Sequence, residues 1–239
     1  MKKETLKKIE ELKNYLQTLD FEAKNTIQSK LDEIIICEMN EQKIGKFNLY
    51  DFCDKSKKEK ALRPALTGVY HKNGYKYATD AHILCRLKQN YAPELEDNVV
   101  LKDGSILSKD EYIRLPDYDS VIPTDLRQYQ SIEIDFDKFP QWNKEAKLHK
   151  KQCKQQRQQS MELVCMGNEI LTTFAFDLLN KAVSAMAEIG TNKIYVHKTE
   201  RFKPAVVKTD NCEIVIFPHS CIITEDYTKE NINVKWFKL

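Results

Sequence analysis

The chain has 239 residues, is 41% hydrophobic, carries a formal net charge of +2 and contains only six glycines. This length can form one large domain or two domains of ordinary size, and the scarcity of glycine argues against a glycine-rich nucleotide loop. Because the charge is nearly neutral, any contact with nucleic acid must come from local clusters of cations. The chain has no run near the roughly 18–20 apolar residues of a membrane span and starts with a charged stretch instead of a signal peptide. We therefore expect a cytoplasmic protein that does not bind membranes.

Seven cysteines are scattered singly along the chain, without a CxxC pair. Closed zinc sites use paired Cys or His spacings, and single cysteines in odd number are typical of reduced thiols in the cytosol. We expect no disulfide framework, no metal and no cofactor.

The N-terminal region, residues 1–43, is predicted to be helical. Its apolar residues recur at helical steps on either side of a break near Asp20, with Lys and Glu between them; they are Leu6, Ile9, Leu12, Leu16, Leu19, Ile27, Leu31, Ile34 and Ile35. The pattern predicts a helical hairpin or one long bent helix. We interpret it as a packing or oligomerisation appendage, and the alternative is a helix that binds a specific partner.

Residues 44–123 are predicted to form a first unit, in which a short helix precedes several strands. The helix candidate lies at 47–60 and stops before Arg63-Pro64, since a proline disfavours helix in the residue before it. Asn73-Gly74 is typical of a hairpin turn. The predicted strands are 65–70, 75–78, 82–87 and 99–102. Residues 115–123 contain two prolines and predict a rigid, extended junction.

Residues 124–223 are predicted to form a second unit, and residues 224–239 a C-terminal tail. The unit has two helix patterns, at 139–158 and 176–189, and a hairpin signal at Gly167-Asn168. Two helices against an antiparallel sheet give an α+β layer. The predicted strands are 131–136, 161–166, 169–174, 193–197, 205–208 and 213–217.

Four segments, in order, resemble one protein family. Residues 62–69 read LRPALTGV and residues 78–84 read ATDAHIL, similar to the "RPxLxGV" and "ATDGHRLA" strands of the bacterial DNA polymerase III beta subunit, the DNA sliding clamp. Residues 115–123, LPDYDSVIP, resemble its "FPDYxxVIP" junction. Residues 176–182, FDLLNKA, resemble its "YLLDAL" helix, and 204–208 and 214–218 its closing strands.

The resemblance implies the DNA-clamp fold and a protein without catalytic residues, with departures from the family pattern. Ala81 stands where the family prefers glycine. The chain carries about two clamp-like units instead of three, has the extra N-terminal helical region, and runs past the usual C-terminal end. No residue pattern favours an enzyme strongly. The isolated histidines suit packing or surface positions, and the acids Asp117, Asp119 and Asp125 lack the second cluster that a metal nuclease would need.

A clamp must hold duplex DNA without reading its bases, which calls for cations that contact phosphates loosely. At about 100° per residue, six cations of the second unit fall within an arc of roughly 140° on one helix face. They are the predicted DNA-binding residues Lys144, Lys147, Lys150, Lys151, Lys154 and Arg157. A lesser candidate is the basic end of the first helix, with Lys55, Lys57 and Lys58. The alternative for both is an ordinary solvated basic face.

Clamps of this family also bind partner proteins through a short peptide in an apolar pocket. The resemblance assigns that pocket to Val121, Ile122, Pro123, Phe217 and Pro218, for which plain core packing is the alternative. The tail ends in Trp236-Phe237-Lys238-Leu239 and is typical of a docking peptide. We expect it to occupy this pocket or that of a neighbouring chain.

The resemblance implies a processivity factor that binds duplex DNA and tethers a DNA polymerase or other replication proteins. If a ring of six units is needed, two units per chain imply a homo-oligomer of three chains. The alternative is a clamp-fold adaptor or inhibitor that binds replication proteins without encircling DNA. A DNA-processing enzyme is the least favoured hypothesis.

Overall fold

A computed structural model describes residues 43–44, 47–55, 62–107, 117–167, 172–219 and 232–239. The helices predicted over residues 2–36 lie outside these ranges. The strands are β1 (Lys43–Ile44), β2 (Phe47–Asn48), β3 (Val69–Lys72), β4 (Tyr75–Thr79), β5 (Ile83–Lys88), β6 (Val99–Val100), β7 (Tyr129–Glu133), β8 (Gln159–Met166), β9 (Thr172–Ala175), β10 (Lys193–His197), β11 (Ala205–Lys208), β12 (Cys212–Ile216) and β13 (Ile232–Lys238). The α-helices are α1 (Lys138–Gln155) and α2 (Phe176–Ile189). No helix of the described ranges is long and apolar enough to cross a membrane.

Eight strands form one sheet in the order β6-β3-β4-β5-β12-β11-β10-β7. At its centre β5 pairs antiparallel with β12, from Cys212 opposite Leu87 to Ile216 opposite Ile83. Strands predicted for the first unit and strands predicted for the second unit therefore lie together in this sheet. The division of the chain into two units at residues 123 and 124 stays a prediction. The eight-stranded sheet itself is continuous and shows no division.

The central strands are apolar on both faces because both faces of the sheet are covered. Ile83 and Ile214 belong to the main core, which α1 and α2 help to fill. Leu84 and Val215 point to the other side and join a second cluster that includes Tyr118. This double burial explains why the closing strands read as continuous apolar runs.

A second sheet of three strands has the order β13-β8-β9. The β8–β9 hairpin and both α-helices lie close to their predicted positions. The C-terminal strand β13 runs parallel to β8, from Ile232 opposite Gln159 to Lys238 opposite Cys165. The expectation that the tail occupies the apolar pocket is therefore wrong, since β13 completes a sheet of its own chain.

Two predicted elements of the first unit differ from the structure. Pro64–Thr67 form a 3-10 helix where a strand is predicted, because Pro64 fixes a helical φ and the Thr67 hydroxyl donates to the Pro64 carbonyl at 2.7 Å. The predicted helix at 47–60 begins instead as strand β2, followed by a 3-10 helix at Leu49–Asp51, while residues 56–60 lie outside the described ranges.

The junction is also less extended than predicted. Asp119–Val121 form a 3-10 helix, and the Ser120 hydroxyl donates to the Asp117 carbonyl at 2.8 Å. The turn brings Tyr118 and Ile122 into the second apolar cluster. The β3–β4 turn is as predicted: Asn73 and Gly74 have φ of 52° and 76°, the left-handed pair of a tight hairpin turn.

Candidate functional site

Helix α1 separates an apolar side from a row of exposed lysines. Phe139, Ala146 and Cys153 are buried against the main core or beside it, because they recur at helical steps on one face. The exposed lysines of the opposite side are Lys144, Lys147, Lys151 and Lys154. They follow one another at steps of three and four residues, so they form one continuous basic row.

Lys150 differs from the other cations predicted on this face. Its amine donates to Asp177 of α2 at 2.6 Å and lies 3.6 Å from the buried carboxylate of Glu162. Burial alone would lower the pKa of the Lys150 amine, but the bond to Asp177 and the charge of Glu162 outweigh it and raise the pKa. Lys150 is thus committed to ion pairs within the protein.

Arg157 was predicted to be the sixth cation on the helix, but α1 ends at Gln155. Arg157 has a positive φ of 56° and is exposed in the turn that leads to β8. It extends the basic row past the helix end without sharing the helix face. In the first unit, Lys55 pairs with Asp51 at 2.8 Å, and Lys57 and Lys58 lie outside the described residues.

Glu145 is the one acid within α1, whose eighteen residues are all described. Its carboxylate lies 2.9 Å from the amine of Lys235 on β13 and also accepts from Gln141 at 3.1 Å. Both hydrogen bonds lower the pKa of Glu145, and the bond from Lys235 has the larger effect. The acid is therefore ionised and neutralised by a cation from another element.

His149 links α1 to the three-stranded sheet. Its Nδ1 lies 2.7 Å from Glu162 of β8, and its Nε2 lies 3.2 Å from Asn233 of β13 and 3.5 Å from the Cys153 sulfur. A Cys–His–Glu set can serve nucleophilic catalysis only if the thiol reaches a substrate. Cys153 is 1% exposed, so the set fastens the helix to the strands.

The predicted partner pocket is only partly assembled as an apolar patch. Ile122 is buried in the second cluster, and Phe217 packs against that cluster half-buried. Val121, next to Ile122 in sequence, is 38% exposed, while Pro123 and Pro218 are half-buried. Ile122 thus serves the core, whereas Val121 and Phe217 keep part of their apolar surface exposed.

His82 is a neighbour of this patch that the sequence analysis missed. The Phe217 amide donates to the His82 carbonyl at 3.0 Å, and the His82 side chain is exposed. Once Ile216 is placed opposite Ile83, antiparallel register brings the residue after Ile216 together with the residue before Ile83.

His82 also lines a cavity of about 480 Å³, whose other lining residues are mainly charged. They include Lys55, Arg63, Asp80 and Lys181, and Lys181 pairs with Asp80 at 3.0 Å. Burial raises the pKa of the Cys53 thiol in its wall to about 12, which removes it as a nucleophile. No group of three or more His, Cys, Asp or Glu side chains suited to a metal ion occurs within the described ranges.

Solved structures with a similar fold include two bacterial clamp proteins. The DNA polymerase III beta chain of Streptococcus pneumoniae TIGR4 has a TM-score of 0.50 at 14% identity, over 79% of this chain and 63% of that one. The beta subunit from the DNA polymerase of Streptococcus pyogenes has a TM-score of 0.51 at 12% identity, over 79% of this chain and 64% of that one.

This chain therefore spans less than two thirds of the length of those proteins. No protein-family model matches the chain, and no curated protein matches it. At such identities the likeness concerns the fold. The chain has the fold of the bacterial DNA polymerase III beta subunit, as the ordered sequence resemblance predicted.

Proposed function

We propose that this chain is a clamp-like DNA replication factor that holds duplex DNA through non-specific phosphate contacts. The observation that carries the proposal is the row of exposed lysines on α1, Lys144, Lys147, Lys151 and Lys154, in a chain with the clamp fold. No bond is made or broken in such a role, so no catalytic residue is required.

The lysine row suits loose contact with a DNA backbone. From Lys144 to Lys154 the helix rises about 15 Å, which is the scale of two or three neighbouring phosphates. Lysine is a flexible point charge without the rigid fork by which arginine reads a base edge. Contacts of this kind attract phosphate at any sequence and allow the protein to slide.

The test of this proposal compares two double variants with equal changes in charge. Lys147→Ala with Lys151→Ala removes two cations from the row, and Lys72→Ala with Lys193→Ala removes two exposed cations elsewhere. We expect the first to weaken binding to a random-sequence duplex by about tenfold and to reduce the salt slope by about two. Equal effects of both variants, or no binding by the wild type, would contradict the proposal.

We also propose that the patch of Val121, Ile122, Pro123, Phe217 and Pro218 binds a short peptide of a DNA polymerase or another replication protein. Support comes from the partial exposure of Val121 beside the Ile122–Phe217 cluster. Val121→Asp should abolish binding of fluorescent peptides copied from the termini of replicative polymerases, since a charge in an apolar site must be desolvated. Ile106→Asp, at a similarly exposed residue, is the matched control and should bind normally.

A second candidate is an adaptor or inhibitor that has the clamp fold and does not encircle DNA. The net charge of only +2 favours it, because DNA-binding domains are often much more basic. Hydrodynamic mass and retention on circular and linearised DNA separate the two. A ring of several chains stays on circles and slides off linear ends, whereas a monomer without this difference supports the adaptor.

A further inference from the structure

We infer that Asp119 is a positioning residue of the peptide site, because it fixes to the large sheet the turn that carries the exposed Val121. The inference rests on the proposed peptide site, and it adds to that site two residues of the sheet, Tyr77 and Arg86. Val121 follows Asp119 by two residues in the same 3-10 helix. The position of Val121 is therefore tied to that of Asp119.

One carboxylate oxygen of Asp119 is bonded to two neighbouring strands. The Tyr77 hydroxyl of β4 donates to Oδ1 at 2.9 Å, and the Arg86 guanidinium of β5 donates to the same oxygen at 2.9 Å. Burial and the bond to Asp119 raise the pKa of the Tyr77 hydroxyl, so it keeps its proton and remains a donor at neutral pH. Hydrogen bonds to a carboxylate are stronger than bonds between neutral groups, so the turn has a firm attachment at this point.

Arg86 is itself held in place by other side chains of the sheet. Its guanidinium forms a second ion pair with Glu213 of β12 and lies over the ring of Tyr75, 4.8 Å from the ring centroid. Glu213 also lies 3.1 Å from the amine of Lys208 on β11. The strands β4, β5, β12 and β11 are neighbours in the sheet. Side chains from four adjacent strands therefore support the single exposed turn.

The residues on either side of Asp119 hold the turn against the same face of the sheet. The Tyr118 ring stacks on Tyr77 with centroids 5.3 Å apart, and Ile122 is buried and donates its amide to the Asp119 carbonyl at 3.3 Å. Ser120 and Val121 are exposed between these attachments. A surface that is fixed before binding loses less entropy when a peptide docks, so the attachment of Asp119 should raise the affinity for the peptide.

The experiment measures the affinity of the full chain for the fluorescent peptides copied from polymerase termini, with thermal unfolding as a check of folding. Asp119→Ala removes both bonds and should weaken binding by about fivefold to tenfold. Tyr77→Phe removes one bond, keeps the ring against Tyr118, and should weaken binding by about threefold. Asp119→Asn can accept both bonds and should stay within about twofold of the wild type.

Asp125 supplies a matched control for the lost charge. Its carboxylate pairs with Arg127, two residues away, at 2.7 Å, and both side chains are well exposed. Asp125→Ala changes the net charge by the same amount as Asp119→Ala and leaves the bonds of Asp119 to Tyr77 and Arg86 intact. Its peptide affinity should change by less than about twofold.

A double-variant cycle shows whether Asp119 acts through Val121. If it does, Asp119→Ala should weaken binding by only about twofold in a Val121→Ala background, because the side chain that it positions is already gone. A loss of general stability would weaken binding equally in both backgrounds.

Wild-type affinity for both Asp119→Ala and Tyr77→Phe would overturn the inference, and so would an equal loss for Asp119→Ala with and without the Val121 side chain. Tyr77→Phe keeps the inference testable if Asp119→Ala does not fold. The proposed peptide site fails by a different result, when Val121→Asp binds the peptides like the wild type or the wild type binds none, and the inference then fails with it.

Discussion

The ring of Phe237, two residues from the end of the sequence, lies 4.9 Å from the ring of Phe176, the first residue of α2. Phe237 is 5% exposed and also meets Trp142 of α1. A C-terminal residue thus joins both helices within the main core. The segment is a structural strand of this chain, in contrast to the free docking peptide that its sequence indicates.

Replacing Phe237 with alanine should lower the free energy of unfolding by about 3–5 kcal/mol, because it removes a buried aromatic ring and leaves a cavity between the helices. The neighbouring Trp236 is 46% exposed, so Trp236→Ala should cost less than about 1 kcal/mol. Urea unfolding followed by circular dichroism measures both. Similar losses would mean that β13 is not packed against the core.

Lys150 and Lys151 are adjacent in sequence and should respond in opposite ways to alanine substitution. Lys150→Ala should lower the free energy of unfolding by about 1 kcal/mol, since buried Glu162 and Asp177 of α2 lose their shared cation, and should change DNA affinity little. Lys151→Ala should weaken DNA binding and leave stability within about 0.5 kcal/mol. Urea unfolding and DNA titration of the two variants check the pair, and the reverse pattern would contradict the assignment of the row.

Ala81 has a φ of +72°, a conformation that costs a residue with a Cβ about 1–2 kcal/mol and glycine almost nothing. Ala81→Gly should therefore stabilise the chain by about 0.5–1 kcal/mol, after the greater freedom of glycine in the unfolded chain is subtracted. The control is Ala78→Gly in β4, a buried strand residue, which should destabilise. A lower melting temperature for Ala81→Gly would show that its Cβ makes a contact worth more than the strain.

His71 should make stability fall in acid. Its side chain is fully buried, and burial, together with the charge of Lys76, lowers the pKa from 6.5 to about 4. Between these values the unfolded chain binds the proton and the folded chain does not, so stability is complete above about pH 6.5 and declines towards pH 4, by at most about 3 kcal/mol. His71→Phe keeps a ring beside Tyr91 and cannot titrate.

Urea unfolding of wild type and His71→Phe at several pH values between 4 and 7 isolates the histidine. As the pH falls from 7 to 4, the free energy of unfolding of the wild type should decrease more than that of His71→Phe. A constant difference would mean that His71 takes up its proton equally in both states.

Local patterns predicted the elements that short-range rules control. The helical spacing of apolar residues on one face predicts α1 and α2. A two-residue hairpin turn requires positive φ at both residues, which Asn73-Gly74 readily adopts. Gly190, with φ of 76°, ends α2 in the left-handed conformation that glycine favours. The 3-10 helices at Pro64–Thr67 and Asp119–Val121 were missed, because their residues also suit strands and extended segments until tertiary contacts select one state.

By itself the sequence determined the order of the clamp-like motifs, the identity of the two helices and the lysine row of α1, since all three depend on spacing along the chain. Tertiary structure alone decided which cations of α1 remain exposed to solvent and where the C-terminal tail lies. Lys150 forms ion pairs with Asp177 and Glu162. Lys235 forms an ion pair with Glu145, which lies 90 residues earlier in the sequence. These ion pairs form only when β13 pairs with β8 and α2 packs beside α1. The spacing of residues along the chain does not predict that packing.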